Sequence, residues 1–239
     1  MRLPLRVAAA GAALVLCLPP HYMWRILRRP SPWPRIFLGS LGRIAGMRPR
    51  IIGTPLERNV LFVCNHLSWL DIMLVAGATG SSFVSRDDVA DWPVAGWLAR
   101  LNNTIFVART SRRSVHGQAD ALRAALASGH PVALFPEGTT EGGHEVLPFR
   151  ASLFAAVVPP PDGVKVQPVA IDYGPVARDI SWTGNEPAGR NAKRVLSRPG
   201  TADVTLRFLE PIDPRDLPDR KRLAEQARLA ILHALDASA

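Results

Sequence analysis

The sequence predicts an α/β fold: a single domain with a mixed β-sheet flanked by helices, preceded by an N-terminal helical segment. Short apolar runs such as Val60–Cys64 and residues 131–135 have the length and polar boundaries of buried strands. Apolar residues recur at helical spacing between these runs, for example over residues 114–128. We therefore assign residues 1–50 to the N-terminal segment and residues 51–239 to the α/β domain.

The composition narrows the class of protein. Apolar residues make up 47% of the 239 residues, which is enough for one large core. The two cysteines, Cys17 and Cys64, lie in unrelated apolar stretches, which argues against a disulfide framework and for either a reducing compartment or simple inert burial. No Cys/His cluster has metal-ligand spacing, and neither a Gly-x-Ser-x-Gly elbow nor a P-loop is present, so we expect no metal and no cofactor.

The positive charge is concentrated at the N-terminus. The net charge of the chain is +9. Residues 1–56 contain nine arginines and no Asp or Glu, and residues 57–239 have no net charge. A pI near 10.8 is also typical of nucleic-acid binding. However, these arginines alternate with Trp, Ile, Leu and Phe, which fits an anionic lipid surface better. We expect a membrane partner at the cytoplasmic face of the inner membrane, and no nucleic acid.

The first apolar stretch, residues 7–20, predicts a membrane anchor. Its fourteen residues are fewer than the roughly 20 that cross a bilayer as a helix. Arg2 and Arg6 precede it as in a signal peptide, but no small-x-small cleavage site follows. We expect an uncleaved, monotopic or single anchor, and a tilted span is possible if the helix continues to Tyr22 or Trp24. Residues 24–50 are a basic amphipathic segment, for which a helix packed on the domain is the alternative.

The remaining elements alternate between strands and helices. In order they are a hairpin or strand pair at 51–64, a helix at 72–78, a strand at 82–85, a helix at 91–101, a strand at 104–108, a helix at 114–128, a strand at 131–135, a helix at 152–158, a strand at 164–171, an irregular and partly helical insertion at 172–199, a strand near the sheet edge at 203–209, and a C-terminal helix at 217–239.

A histidine and a carboxylate follow the buried strand that ends at Cys64. His66 comes directly after Asn65, and Asp71 is five positions further on, where open α/β sheets keep their ligand sites. Histidine can take the proton of an attacking hydroxyl, and a carboxylate on its other nitrogen stabilises the imidazolium. The backbone N–H groups after Asn65 are then candidate oxyanion donors. The alternative is structural, because Ser68-x-x-Asp71 is also a capping-box pattern.

Four ordered motifs resemble the signature blocks of the glycerolipid (lysophospholipid) acyltransferases. The first, Asn-His-x4-Asp, is Asn65, His66 and Asp71. The second is a strand that ends in Arg109, the third is the Phe-Pro-Glu-Gly-Thr of residues 135–139, and the fourth is the strand at 166–171. Together they cover roughly residues 59–172, and the intact third block is the most diagnostic.

The resemblance implies transfer of a fatty acyl group from a thioester to a lysophospholipid hydroxyl. The first acceptor it suggests is 1-acyl-sn-glycerol-3-phosphate, giving phosphatidic acid, with acyl-ACP (acyl carrier protein) or acyl-CoA as donor. It makes His66 the catalytic base and Asp71 its orienting partner. The substrate-binding residues it implies are Asn65, Arg86, Arg109, Glu137, Gly138 and Thr139.

Two departures from the family pattern bear on the acceptor. Ala108 stands where an acidic residue is usual, and Arg86 stands where a lysine is usual, which keeps the cation but changes its geometry. A phosphate-free acceptor, such as a lyso-ornithine lipid, is therefore the nearest alternative, and acidic Glu141 leaves it open. A membrane-surface lipid hydrolase with the same base and a non-catalytic lipid- or DNA-binding module are more distant alternatives.

Overall fold

The computed structural model describes residues 2–107, 112–140, 142, 145–184 and 186–237, and for Arg86, Val107 and residues 112–118 it describes the backbone. In that part of the chain the helices are α1 Arg2–Ile26, α2 Trp33–Ile44, α3 Leu70–Thr79, α4 Ala95–Leu101, α5 Arg112–Ala127, α6 Ala177–Ile180, α7 Ala188–Ser197 and α8 Arg220–Asp236. The strands are β1 Met47–Ile52, β2 Val60–Cys64, β3 Ser82–Arg86, β4 Ile105–Val107, β5 Val132–Leu134, β6 Lys165–Asp172 and β7 Ala202–Phe208. Single 3₁₀ segments lie at Asp87–Asp91, Ala151–Val157 and Gly174–Val176.

The strands form one seven-stranded sheet in the order β1-β7-β6-β2-β5-β3-β4. The β6–β7 pair is antiparallel and the other neighbouring pairs are parallel. The predicted mixed α/β sheet is thus confirmed. Because β2, β5, β6, β3 and β4 run in one direction, their carboxyl ends lie at one edge of the sheet, which is where ligand sites form in such folds.

Strand β2 lies at the centre, and both of its faces are covered. Val60, Phe62 and Cys64 pack with α2 and α3, whereas Leu61 and Val63 face the cluster formed by α5, α8 and residues 151–157. All five side chains are buried. A strand buried on both faces needs an unbroken apolar run rather than alternation, and this explains the pattern from which the strand was predicted.

The predicted hairpin or strand pair over residues 51–64 is wrong. Strand β1 begins at Met47 and pairs with β7 at the sheet edge, and two strands, β7 and β6, separate it from β2. The segment between β1 and β2 crosses the end of the sheet, and buried Gln167 of β6 holds it: its amide donates to Thr54 O and accepts from Leu56 N. The sequence pattern could not show this, because the partner that fixes the crossing is more than a hundred residues away.

The N-terminal segment packs on the sheet domain. Helix α1 is longer than the apolar stretch from which it was predicted and includes Pro19 and Pro20. Helix α2 crosses α3 at a glycine pair, because a Cβ on Gly77 would lie 2.5 Å from the Cα of Gly39. Since β1 already begins at Met47, the sheet takes in residues that lie before the predicted domain boundary at residue 51.

The predicted insertion at residues 172–199 is partly helical, as expected, and contains α6 and α7. A polar cluster stabilises it: Arg194 donates to Glu186 and to the carbonyl oxygen of Ser181, and Asn191 donates to the same two groups. The hydrogen bonds from Arg194 and Asn191 lower the pKa of Glu186 to about 2. Asn191 also accepts from the indole N–H of Trp69, which ties the insertion to the loop after β2.

Candidate active site

Three neighbouring strands bring the predicted site residues together. Asn65 and His66 follow β2, residues 137–139 follow β5, and the loop that starts at Tyr173 follows β6. These strands are parallel neighbours with β2 in the middle, so their carboxyl ends converge. The sequence blocks, separated by up to about a hundred residues, therefore line one edge of the sheet.

Two predicted substrate-binding arginines are only partly placed. Arg86 is the last residue of β3, at the same edge of the sheet, and its side chain is not among those described. Strand β4 ends at Val107, and Arg109 lies outside the described residues. Their predicted contacts with substrate stay predictions.

His66 and Asp71 form a hydrogen-bonded pair. Nδ1 of His66 lies 2.8 Å from Oδ2 of Asp71, whose side chain is fully buried, whereas that of His66 is 17% exposed. The imidazole stacks on Phe135 of the third block, with ring centroids 4.1 Å apart and planes inclined at 19°. In the described part of the chain Nε2 has no hydrogen-bond partner. The arrangement leaves that nitrogen free to take a proton from a bound hydroxyl.

The capping interpretation of Asp71 holds at the same time. Oδ2 of Asp71 also accepts from the backbone N–H groups of Leu67 and Ser68, at 2.7 and 2.8 Å. This is the half of a capping box in which the helical side chain reaches back. The forward half is weak, because Ser68 Oγ is 3.4 Å from the nitrogen of Leu70. One carboxylate therefore both closes the turn and orients His66.

The predicted oxyanion role fails for the three N–H groups nearest Asn65. Those of Leu67 and Ser68 donate to Asp71, and that of His66 donates to Oε1 of Glu137 at 2.7 Å. Two carboxylates thus occupy the donors that were expected to face the substrate carbonyl. The correction follows from the third block, whose buried glutamate reaches across from β5 to the end of β2.

Glu137 joins the loops after β2 and β5. Its second oxygen, Oε2, accepts from the backbone N–H of Leu147 at 2.9 Å, and the residue is only 3% exposed. Hydrogen bonds to an ionised carboxylate are among the stronger ones in proteins. The two backbone partners of Glu137 therefore explain why a glutamate lies beside a predicted anion site. Its predicted contact with the acceptor is untested.

Asn65 extends the pairing of β2 with β6 beyond the last strand residue. Its amide nitrogen donates to Ile171 O at 2.9 Å and its amide oxygen accepts from Ile171 N at 2.8 Å. The side chain is 2% exposed, so both of its polar groups are used inside the protein. The observed role of Asn65 is to fix the turn that presents His66, and direct contact with substrate stays a prediction.

Gly138 allows a close approach, and the group that approaches it is a guanidinium. Its φ of +70° is a backbone conformation that favours glycine, and a Cβ there would lie 2.7 Å from Cζ of Arg150. Thr139 is exposed beside it, and the hydroxyl of Thr140 donates to the carbonyl oxygen of Trp182. Arg150 thus supplies an exposed cation next to the third block.

Tyr173 is a site residue that the sequence analysis missed. Its hydroxyl donates to Oδ1 of Asp71 at 2.5 Å, and the residue is buried. Burial, and then the nearby Asp71 charge, raise the pKa of the Tyr173 phenol well above its usual value, so it remains a donor. The available signal was its position directly after the strand of the fourth block, which is the neighbour of β2.

The structure is thus an α/β protein with a hydrogen-bonded His66–Asp71 pair at the carboxyl edge of its sheet, an arrangement that can activate a hydroxyl. The Acyltransferase family model matches residues 48–172 of the chain, and the chain belongs to this family. The resemblance found in the sequence is confirmed, and the protein is an acyltransferase.

Relatives with two acceptor names match the chain. Lyso-ornithine lipid O-acyltransferase of Rhodobacter capsulatus is 36% identical over 247 residues, covering 96% of this chain and 88% of that protein. 1-acyl-sn-glycerol-3-phosphate acyltransferase of Neisseria meningitidis is 38% identical over 147 residues, covering 62% of this chain and 51% of that protein. The crystal structure of the 1-acyl-sn-glycerophosphate acyltransferase PlsC from Thermotoga maritima has a TM-score of 0.66 at 22% identity, covering 99% and 97% of the two chains, and confirms the fold.

Proposed function

We propose that this acyltransferase moves a fatty acyl group from a thioester to the free hydroxyl of a lysolipid. The observation that carries the proposal is the 2.8 Å hydrogen bond between His66 and buried Asp71, with Nε2 of His66 left without a protein partner in the described residues. A general base that is oriented by a carboxylate is what a weakly acidic hydroxyl needs in order to attack at neutral pH.

The proposed reaction is a direct displacement. The acceptor hydroxyl gives its proton to Nε2 of His66 while its oxygen attacks the thioester carbonyl, and Asp71 stabilises the resulting imidazolium. The new C–O ester bond forms, the C–S bond breaks, and His66 returns the proton to the departing thiolate. The donor is an acyl-CoA or an acyl-ACP. We propose no cofactor, and no group of three or more His, Cys, Asp or Glu side chains suited to a metal lies in the described ranges.

We propose a lyso-ornithine lipid as the first acceptor to test and 1-acyl-sn-glycerol-3-phosphate as the second. Four relatives named lyso-ornithine lipid O-acyltransferase cover 82–96% of the chain at 35–36% identity. The Neisseria relatives named for the phosphate acceptor cover 62%. Arg150 beside Gly138 supports either acceptor, since a guanidinium binds a carboxylate or a phosphate with the same geometry.

We propose that the N-terminal helices lie along the membrane surface on the cytoplasmic side. By length and composition α1 is long enough to cross a bilayer. However, its first turns are bonded to the sheet domain: Arg6 donates to the carbonyl oxygens of Leu196, Arg198 and Gly200 at the end of α7. Further along, Cys17 is buried in the core cluster that contains α2. A helix held to the domain at both Arg6 and Cys17 favours an in-plane position over a span.

The outward face of these helices is apolar. The large apolar side chains exposed on or just after α1 and α2 are Leu5, Val7, Val15, Leu16, Tyr22, Met23, Ile26, Leu27 and Ile36, with Ile26 reaching 81% exposure. With the arginines of the same segment, this surface combines apolar and cationic groups, as interfacial helices do. It supports a site held at the interface, where a lysolipid acceptor lies.

The function is tested with the full-length chain in mixed micelles. A labelled acyl thioester, as acyl-CoA or as acyl-ACP, is incubated with lyso-ornithine lipid, with lysophosphatidic acid, or without acceptor. Wild type is compared with His66→Ala and with His233→Ala, which changes an exposed histidine of α8 far along the chain. We expect acylated acceptor from wild type and His233→Ala, and a loss of at least about a thousandfold in His66→Ala.

The outcomes separate the alternatives. Product from only one of the two acceptors identifies that acceptor. Free fatty acid released at the same rate without acceptor would make the protein a lipid hydrolase and overturn the transfer reaction. Full activity of His66→Ala would remove the base from the mechanism.

A further inference from the structure

We propose that Tyr173 is a positioning residue of the catalytic pair, and that its hydroxyl sets the proton affinity of His66 through Asp71. The inference rests on the proposed function, in which His66 is the general base. The sequence block that precedes Tyr173 was assigned only to a strand, and the tyrosine itself belongs to none of the four signature blocks.

The hydrogen bonds of Asp71 are divided unequally between its two oxygens. Oδ2 accepts from Nδ1 of His66 and from the backbone N–H groups of Leu67 and Ser68. Oδ1 accepts from the Tyr173 hydroxyl, at 2.5 Å. Within the described residues no other donor reaches Oδ1. Among the described residues, the tyrosine is therefore the only group that satisfies one whole oxygen of this fully buried carboxylate.

The hydroxyl is held rigidly. Tyr173 follows β6 directly, and two residues earlier Ile171 exchanges both of its backbone hydrogen bonds with the Asn65 side chain. The loop that carries His66 and the loop that carries Tyr173 are thus fixed to each other. A donor fixed in this way is held in one orientation relative to the Asp71 carboxylate.

A donor on Asp71 lowers the basicity of its histidine partner. The O–H bond draws electron density from the carboxylate, which then attracts the imidazolium less strongly. The basicity that Asp71 gives to Nε2 of His66 therefore depends on the Tyr173 hydroxyl. The other described titratable groups that face the pair are Glu137, which accepts from His66 N, and the Cys64 thiol, buried close to Asp71. Both are unchanged in the variants below.

The test uses the pH dependence of kcat/KM in Tyr173→Phe. Loss of the donor strengthens the hold of Asp71 on the imidazolium, so we expect the acid limb to move to higher pH by about 0.5 to 1 unit. We expect kcat to fall roughly tenfold with little change in the acceptor KM, since Tyr173 is buried behind Asp71. A residue that only filled space would lower activity at every pH alike.

The chain offers a second, opposite perturbation, because Tyr22 and Tyr173 are its only tyrosines. In a Tyr22→Phe background, 3-fluorotyrosine supplied during expression enters at position 173 alone. Fluorine makes the phenol a stronger donor, so the acid limb should move to lower pH than in the unfluorinated Tyr22→Phe protein. The tyrosine and fluorotyrosine forms differ by one atom, which keeps the packing matched.

Shifts of opposite sign support the inference. Coincident acid limbs in the tyrosine and fluorotyrosine forms overturn it, and this comparison decides even if Tyr173→Phe does not fold. The parallel His66→Ala assay distinguishes a failure of the Tyr173 role from a failure of the proposed function. An inactive His66→Ala with unmoved acid limbs refutes the role of Tyr173 alone, whereas an active His66→Ala refutes the proposed function.

Discussion

Replacing Asp71 by Asn separates the two roles of this carboxylate, because it removes the charge and keeps the shape. The amide oxygen of Asn can accept from the donors now bonded to Oδ2, and its NH2 group can donate to the oxygen of the Tyr173 hydroxyl. The turn before α3 should therefore still close. What is lost is the negative charge that stabilises a protonated His66.

The magnitude follows from the four hydrogen bonds of Asp71. A hydrogen bond to a charged group contributes about 1.5–3 kcal/mol net and a neutral one about 0.5–1.5 kcal/mol. Part of the difference is offset because a buried charge no longer needs to be desolvated, so we expect a loss of about 1–3 kcal/mol. For a chain of this size that lowers Tm by roughly 2–12 °C. The rate should fall far more, by about 10⁴-fold, as for an amide in the orienting position of a catalytic triad.

The assay combines thermal unfolding with initial rates of ester formation. Asp219→Asn is the matched control, because Asp219 caps α8 by accepting from the N–H of Lys221, and asparagine caps a helix equally well. We expect this control to keep both Tm and rate. If Asp71→Asn keeps its rate within about tenfold of wild type while its Tm falls as described, Asp71 is only a cap and its proposed role in orienting His66 is refuted.

Three further substitutions test other parts of the structure. In Glu137→Gln, the amide oxygen can accept from only one of the two backbone N–H groups that the carboxylate binds, so we expect kcat to fall at least tenfold. The exposed control Glu145→Gln, assayed in parallel, should match wild type. Gly77→Ala places a Cβ against the α2 backbone and should lower the free energy of unfolding in urea by about 1–3 kcal/mol. The control Gly11→Ala adds a Cβ in open space and should not lower it. Equal effects of the two substitutions would contradict the packing of α2 on α3. Because its arginine partner lowers the pKa of Glu186 to about 2 from 4.5, that ion pair stabilises the fold above pH 4.5 and loses its effect as the pH falls. The Tm difference between wild type and Glu186→Gln should therefore be largest near neutral pH and shrink on acidification, and a constant difference would exclude the ion pair as its source.

Local patterns predicted most of the sheet and the proximity of His66 and Asp71, whose catalytic role was predicted from the family resemblance. Strand β2 was visible because burial on both faces demands a continuous apolar run. His66 and Asp71 were visible because one helical turn brings positions five apart into contact when a helix starts between them. Both inferences depend on residues near each other in the sequence. The geometry confirms the strand and the contact between His66 and Asp71, whose catalytic roles stay predictions.

Contacts between distant segments were not predictable in the same way. Tyr173 reaches Asp71 across 102 positions, and Glu137 reaches His66 N across 71. The mistaken hairpin has the same origin, since the edge position of β1 is set by β7 and by Gln167 rather than by the residues between β1 and β2. A strand order must be known before such partners can be named.

The parts that sequence reasoning missed change how the site should be probed. At the end of β2 the backbone leaves the sheet with unpaired N–H groups, and the carboxylates of Asp71 and Glu137 accept from three of them. The same carboxylate that orients His66 is therefore also the cap of the turn that carries it. An alanine at either acidic position would release the turn and the catalytic geometry together, and its loss of activity could not be assigned to one or the other. Isosteric amides, which keep one acceptor and remove the charge, are the substitutions that can distinguish chemistry from loop structure at this edge of the sheet.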